Sequence, residues 1–120
     1  MKRDMRLIED LLAAIEKKDN AQYSAIRVPG YPTVLINEHL RILLETRCIE
    51  GAAEVEGKGI FVTRMTMEGH ELLYVLREGG IWNQIKSSVS AETLAAIPLD
   101  VIRKVGLKLV ERSLLRQLGL

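Results

Sequence analysis

The side chains best suited to covalent or metal chemistry are few and far apart: one thiol, Cys48, and two imidazoles, His39 and His70, in 120 residues. A thiolate zinc site needs several cysteines, and an imidazole site needs an H-E-x-x-H pair or further ligands, which Glu38 and Glu71 do not supply at the right spacing. Cys48 follows an apolar helix end without a Ser-His-Asp or Cys-His neighbourhood, so it reads as a small core residue. His70 is expected to pack beside a hairpin. Gly57-Lys58-Gly59 lacks the third glycine and the strand-to-helix setting of a phosphate cradle, and reads as a turn. The expectation is a non-enzymatic chain with no catalytic residue, no metal or cofactor site and no small-molecule substrate.

Polar groups suited to recognition are better placed. Thr33, Asn37 and Arg41 recur along one predicted helix, and Lys58 and Arg64 sit on the hairpin after it. Asn and Arg present the paired hydrogen-bonding groups that read base edges, and lysine meets phosphate. These five residues are the candidate DNA-binding set. Against them stand Glu38 and Glu45 on the helix and Glu54 and Glu56 on the hairpin, so the local field is close to neutral. The whole chain carries a formal charge of +1, so no global field steers it to nucleic acid or anionic lipid.

The elements that must position these groups follow from periodicity. Charged residues make up 28% and apolar residues 48%, the balance of a folded domain, and with only 4% aromatics the core must be aliphatic, which favours helices. Met5, Ile8, Leu11, Leu12 and Ile15 mark an amphipathic helix capped by Asp4 and stopped at Asp19-Asn20. Residues 21–28 read as a short strand before Pro29-Gly30. A second helix over about 32–46 buries Ile36, Leu40, Leu43 and Leu44. Residues 49–56 and 60–65 pair as a hairpin closed at Gly57-Lys58-Gly59. Thr66 caps a third helix that Gly79-Gly80 ends; a segment with Trp82 and Ile85 leads to Ser90, which caps a short helix broken near Ile97. The last helix runs from Pro98 to about Leu118. The lone thiol fits a reducing, cytoplasmic setting, and the chain shows neither a signal-peptide pattern nor an 18-residue apolar run, which argues against a membrane partner.

The order helix, strand, helix, hairpin, helix is that of a winged-helix module. His39-Leu40 with Leu43, then Cys48-Ile49-Glu50-Gly51, resembles the end of the recognition helix in many winged-helix regulators. Met65-Thr66-Met67-Glu68-Gly69-His70-Glu71-Leu72 resembles their L-T-x-x-G-x-x-L after the wing. A resemblance over nearly the whole chain is to a family of short bacterial and phage proteins classed as a domain of unknown function. It is carried by the opening Met1-Lys2-Arg3-Asp4-Met5, by Thr66 through Leu73, by Trp82-Asn83 with Lys86, and by the closing Leu118-Gly119-Leu120. That resemblance implies a fold and a phage or prophage setting, with no established activity. Arg47-Cys48 replaces the Ala-Gly or Gly-Leu usual at the helix end, and Met67 stands where the family often has Trp. Residues 20–32 are also too few for both a strand and a positioning helix.

The final helix carries two apolar stripes. Val101, Ile102, Val105 and Leu109 share one side; Leu107, Val110, Leu114 and Leu118 share nearly the opposite one. One small core cannot cover both, so either a kink at Gly106 turns them inward or the second stripe pairs with another copy, the simpler solution. The reading is therefore mainly α with a small β-hairpin, an α+β fold: a winged-helix-like domain over 1–80 and a C-terminal helical extension over 81–120, forming a single compact unit. The leading functional expectation is DNA-linked transcriptional regulation by a homodimer. The alternative is a protein-interaction module on the same scaffold without DNA binding.

Overall fold

A computed structural model of the chain describes residues 2–18, 20–52, 57 and 59–120. The fold is α+β, mostly helical with one small antiparallel sheet, and the chain divides into two compact units, Met1–His70 and Glu71–Leu120. The division falls inside a helix, ahead of the boundary at 80 read from the sequence.

In the first unit, α1 spans Met5–Glu16, and the Asp4 carboxylate caps it by accepting from the Arg6 and Leu7 N–H groups at 2.9 and 3.1 Å. Ile8, Leu11, Leu12 and Ile15 are buried on its inner face, as the apolar spacing requires, but Leu7 is buried with them where Met5 was expected, and Met5 is only half-buried. Strand β1 is only Ser24–Ala25, and residues 26–32 then form extended chain and a turn, with no helix between β1 and the next element. Helix α2 covers Thr33–Glu45, followed by β2 (Ile49–Ala52) and β3 (Phe61–Met65). The sheet order is β1-β3-β2, antiparallel throughout, with a register shift between Glu50 and Gly51. A β-carbon on Gly51 would overlap the Phe61 carbonyl oxygen, so the bulge needs a glycine there. Of the expected closing turn, Gly57 and Gly59 take positive φ, 71° and 93°, while Lys58 and residues 53–56 lie outside the described ones.

Helix α2 ends in a Schellman motif: the Cys48 N–H donates to Leu43 O at 2.9 Å and the Arg47 N–H to Leu44 O at 3.1 Å. The left-handed residue this motif needs is Arg47, with φ 63°. The next junction is tied to it. Thr66 donates its hydroxyl to Arg47 O at 2.6 Å and its N–H to Cys48 O at 3.0 Å, while Oγ1 accepts from the Gly69 N–H at 3.2 Å, capping α3 (Met67–Arg77).

In the second unit the chain breaks at Glu78, which is extended (φ −77°, ψ 95°) and precedes α4 (Gly79–Ser88). Gly79-Gly80 therefore opens a helix and does not end the preceding one. Neither glycine takes positive φ, and the stretch holding Trp82 and Ile85 is helical. Short α5 (Ala91–Ala96) has Ser90 as its cap and breaks at Ile97, where the following proline disfavours α geometry; α6 then runs unbroken over Leu99–Gln117. There is no interruption at Gly106. A β-carbon there would overlap the Val75 methyls, so this glycine lets α6 cross close to α3. Val75, Ile81 and Ile85 form the buried cluster of this unit, with Trp82, Leu94, Leu107, Leu109 and Val110 packed against it.

Candidate interaction surfaces

The five residues proposed for nucleic acid come from α2 and the hairpin. Thr33 is exposed at the start of α2, where it helps line a cleft of about 510 Å³ with Arg27, Tyr31, Ile36, Asn37 and Ile60. Asn37 is half-buried and turned to the hairpin: its Oδ1 accepts from the Ile60 N–H at 3.5 Å, and its side chain lies close against Gly59. Arg64 is held by Glu50, its cross-strand partner. Nε donates to Oε2 at 3.0 Å and Nη2 to Oε1 at 2.7 Å, a fork-to-fork pair with both side chains about half exposed. Arg41 is half-buried and already engaged, and Lys58 lies outside the described residues. The outer face of α2 adds Val34, 70% exposed, with half-buried Glu38 and exposed Glu45. Among the described residues this face mixes both charges, and its arginines Arg41 and Arg64 are engaged.

Beside the cleft, burial first and then Asp4 and Asp10 push the Tyr31 phenol above its ordinary pKa, with Arg6 opposing them.

The two histidines have different fates. His39 is fully buried on α2 between two backbone groups: Nε2 accepts from the Asp4 N–H at 2.9 Å, so Nδ1 carries the proton and donates to Leu35 O at 2.9 Å. The sequence reading gave that face to Leu44, which is only half-buried; the satisfied ring of His39 takes the place. His70 is exposed, contrary to the expected packing beside the hairpin, because the buried positions around it on α3 are Gly69, Leu72 and Leu73. Cys48 is buried and not in a disulfide. Among the described residues no group of three or more His, Cys, Asp or Glu could hold a metal ion.

The α6 stripe is divided by its surroundings. Leu107 and Val110 pack against the Val75 cluster, whereas Leu114 and Leu118 are 52% and 63% exposed. From α6, Val110, Leu114 and Arg116 line a cleft of about 400 Å³, and Tyr74, Glu78 and Ile81 line it from α3, the α3–α4 break and α4. The stripe read as core-facing is divided too: Ile102 is buried, but Val101 and Val105 are 44% and 45% exposed. Gly106 and Ile102 define the buried line of the helix, which a residue-type pattern does not reveal. Arg103, largely covered, clamps this helix by donating to Glu71 Oε1 at 2.8 Å and Asp100 Oδ1 at 2.6 Å. No helix among the described residues is long and apolar enough to cross a membrane.

Residues 2–95 match the family described as "Hypothetical protein (DUF2513)". The chain belongs to the DUF2513 family. The chain is also similar to an "Uncharacterized protein" from Haemophilus influenzae, 25% identical over 118 residues, which covers 95% of this chain and 99% of that relative. No solved structure matches. The residues that carry the resemblance to the DUF2513 family have fold-building roles here. Asp4 caps α1; Thr66 and Gly69 join α3 to the end of α2; Lys86 Nζ lies 5.8 Å from the Trp82 ring centroid on α4; and Gly119, at φ 75°, closes α6.

Proposed function

We propose that the protein is a non-catalytic, cytoplasmic protein-interaction module on a winged-helix-like scaffold. The observation that carries this reading is the exposed apolar surface around the α3–α4 and α6 cleft, where Tyr74, Leu114 and Leu118 are all more than half exposed. Large apolar side chains exposed near one another, here beside the polar Gln84, Ser113 and Gln117 of the same cleft, commonly mark a contact surface. The hairpin face points the same way, since Arg64 is neutralised by Glu50 and Asn37 is turned inward. An electrophoretic shift with nonspecific duplex DNA at low salt tests the reading. It predicts no retarded complex at micromolar protein. A complex that forms there and dissolves as salt rises would overturn it.

DNA-linked regulation is the second reading, favoured by one specific observation: α2 leads directly into β2, and the sheet order β1-β3-β2 puts the hairpin beside it as a wing. In that case Thr33 and Arg41 would serve the groove, Asn37 would first have to leave Ile60 and Arg64 to leave Glu50, and Lys58, outside the described residues, would serve the phosphates. Arg41→Ala would relax sequence preference by about 1–3 kcal/mol, and Lys58→Ala would lower the salt slope by about one unit.

A further inference from the structure

We propose that the occupant of the α3–α4 and α6 cleft is a second copy of the same chain, docked about a two-fold axis; this rests on the interaction-module reading and names its partner. A two-fold contact presses one surface patch onto itself, so the patch must contain both members of every complementary pair. This one does. Leu114 lines the cleft, about 400 Å³, and exposed Leu118 follows four residues later at the α6 C-cap, so the same surface offers a groove and a knob. Exposed Glu78 contributes from the α3–α4 side and exposed Arg116 from the α6 side. A two-fold axis through the cleft sets Glu78 of each copy against Arg116 of the other. An acidic or basic partner would leave one of these charges facing its like. Gly79 and Gly80, where an added β-carbon would meet nothing, keep the rim at the start of α4 low enough for close approach. Tyr74, 51% exposed on the wall, supplies the aromatic anchor typical of such contacts.

The charge arrangement gives the test. In sedimentation velocity the wild-type chain is expected to dimerise at micromolar concentration. Leu114→Glu should weaken dimerisation by about 30-fold or more, as loss of a central anchor does, with an unchanged far-ultraviolet circular dichroism spectrum. Glu78→Arg and Arg116→Glu should each weaken self-association, because each homodimer then carries two like-charge pairs. Mixing these two variants should restore association as heterodimers, in which both pairs are again opposite. A wild-type chain that stays monomeric at 100-fold higher concentration, a Leu114→Glu chain that dimerises normally, or a mixture that associates no better than its components contradicts the proposal. A monomeric chain that also leaves DNA unshifted removes only the self-partner and leaves the interaction-module reading in place. A chain that shifts DNA removes that reading itself.

Discussion

The two units treat apolar side chains differently. In Met1–His70, the inner faces of α1, α2 and β3 meet in a core where Leu7, Ile8, Leu11, Leu12, Leu43 and Val62 are completely buried, and among the described residues the large apolar ones left exposed are Tyr23, Val34 and Met67. Glu71–Leu120 also has buried residues, but its exposed set is longer: Tyr74, Val101, Val105, Leu114, Leu115, Leu118 and Leu120. Most of these come from α6. The first unit uses its described apolar residues to close a fold, while the second keeps a surplus at its surface, which is the basis of the proposed association.

The contrast can be broken most strongly with leucines. Leu12→Ala should destabilise the chain by about 2–5 kcal/mol, because a fully buried leucine leaves a cavity, whereas Leu114→Ala in the monomer should stay within about 0.5 kcal/mol. Urea unfolding at low concentration checks both; equal losses would mean that α6 is not a surface element.

Glycines sharpen the comparison next. At Gly69 a β-carbon would overlap the Cys48 carbonyl oxygen, a backbone atom fixed by its bond from the Thr66 N–H. At Gly106 the obstacle is only the Val75 side chain. Gly69→Ala is therefore expected near the upper end of overpacking costs, about 3 kcal/mol, and Gly106→Ala nearer about 1–2 kcal/mol. Val75→Ala should recover part of the Gly106→Ala loss, with a coupling above about 0.5 kcal/mol in a double-mutant cycle. Simple additivity there would refute the close crossing.

The ends of α2 and α6 supply a smaller effect. Both close with Schellman bonds, but Gly119 takes the left-handed position at one end and Arg47 at the other. A side chain in that conformation costs about 1–2 kcal/mol, partly offset by the extra unfolded-state freedom of glycine. Arg47→Gly should stabilise the first unit by up to about 1 kcal/mol, raising the urea midpoint without changing the slope.

The smallest effect is electrostatic. Hydrogen bonds from Arg103 and Lys104 hold the Asp100 carboxyl below its ordinary pKa. A depressed folded-state pKa stabilises the fold above the unfolded value, about 3.9, and that stabilisation is lost as pH falls through the folded value. Wild type should exceed Asp100→Asn in melting temperature at neutral pH by a small margin that closes in acid.

What the sequence revealed follows what local physics decides. Asp4, Ser90 and Pro98 marked helix starts correctly, and the apolar spacing of α1 matched its buried face except that Leu7 is buried and Met5 is not, because caps and periodicity act within a few residues. Gly79-Gly80 misled, since two glycines read as a stop, while the break is made one residue earlier by the backbone of Glu78. The role of Gly106 needs the position of Val75, and the burial of His39 needs a donor from Asp4, 35 residues away. Among the candidate site residues, the pattern identified Leu114 and Leu118 as exposed. It could not foresee that Leu107 and Val110 pack inward, or that Glu50 occupies Arg64. Those outcomes depend on tertiary neighbours.

The most direct test of the central claim, that this chain works through the apolar surface of its second unit, is amide chemical-shift mapping as protein concentration rises. Shifts should concentrate on residues 74–84 and 110–118 while the amides of α2 stay still. Concentration-dependent shifts along Thr33–Glu45, or none around the cleft, would contradict it.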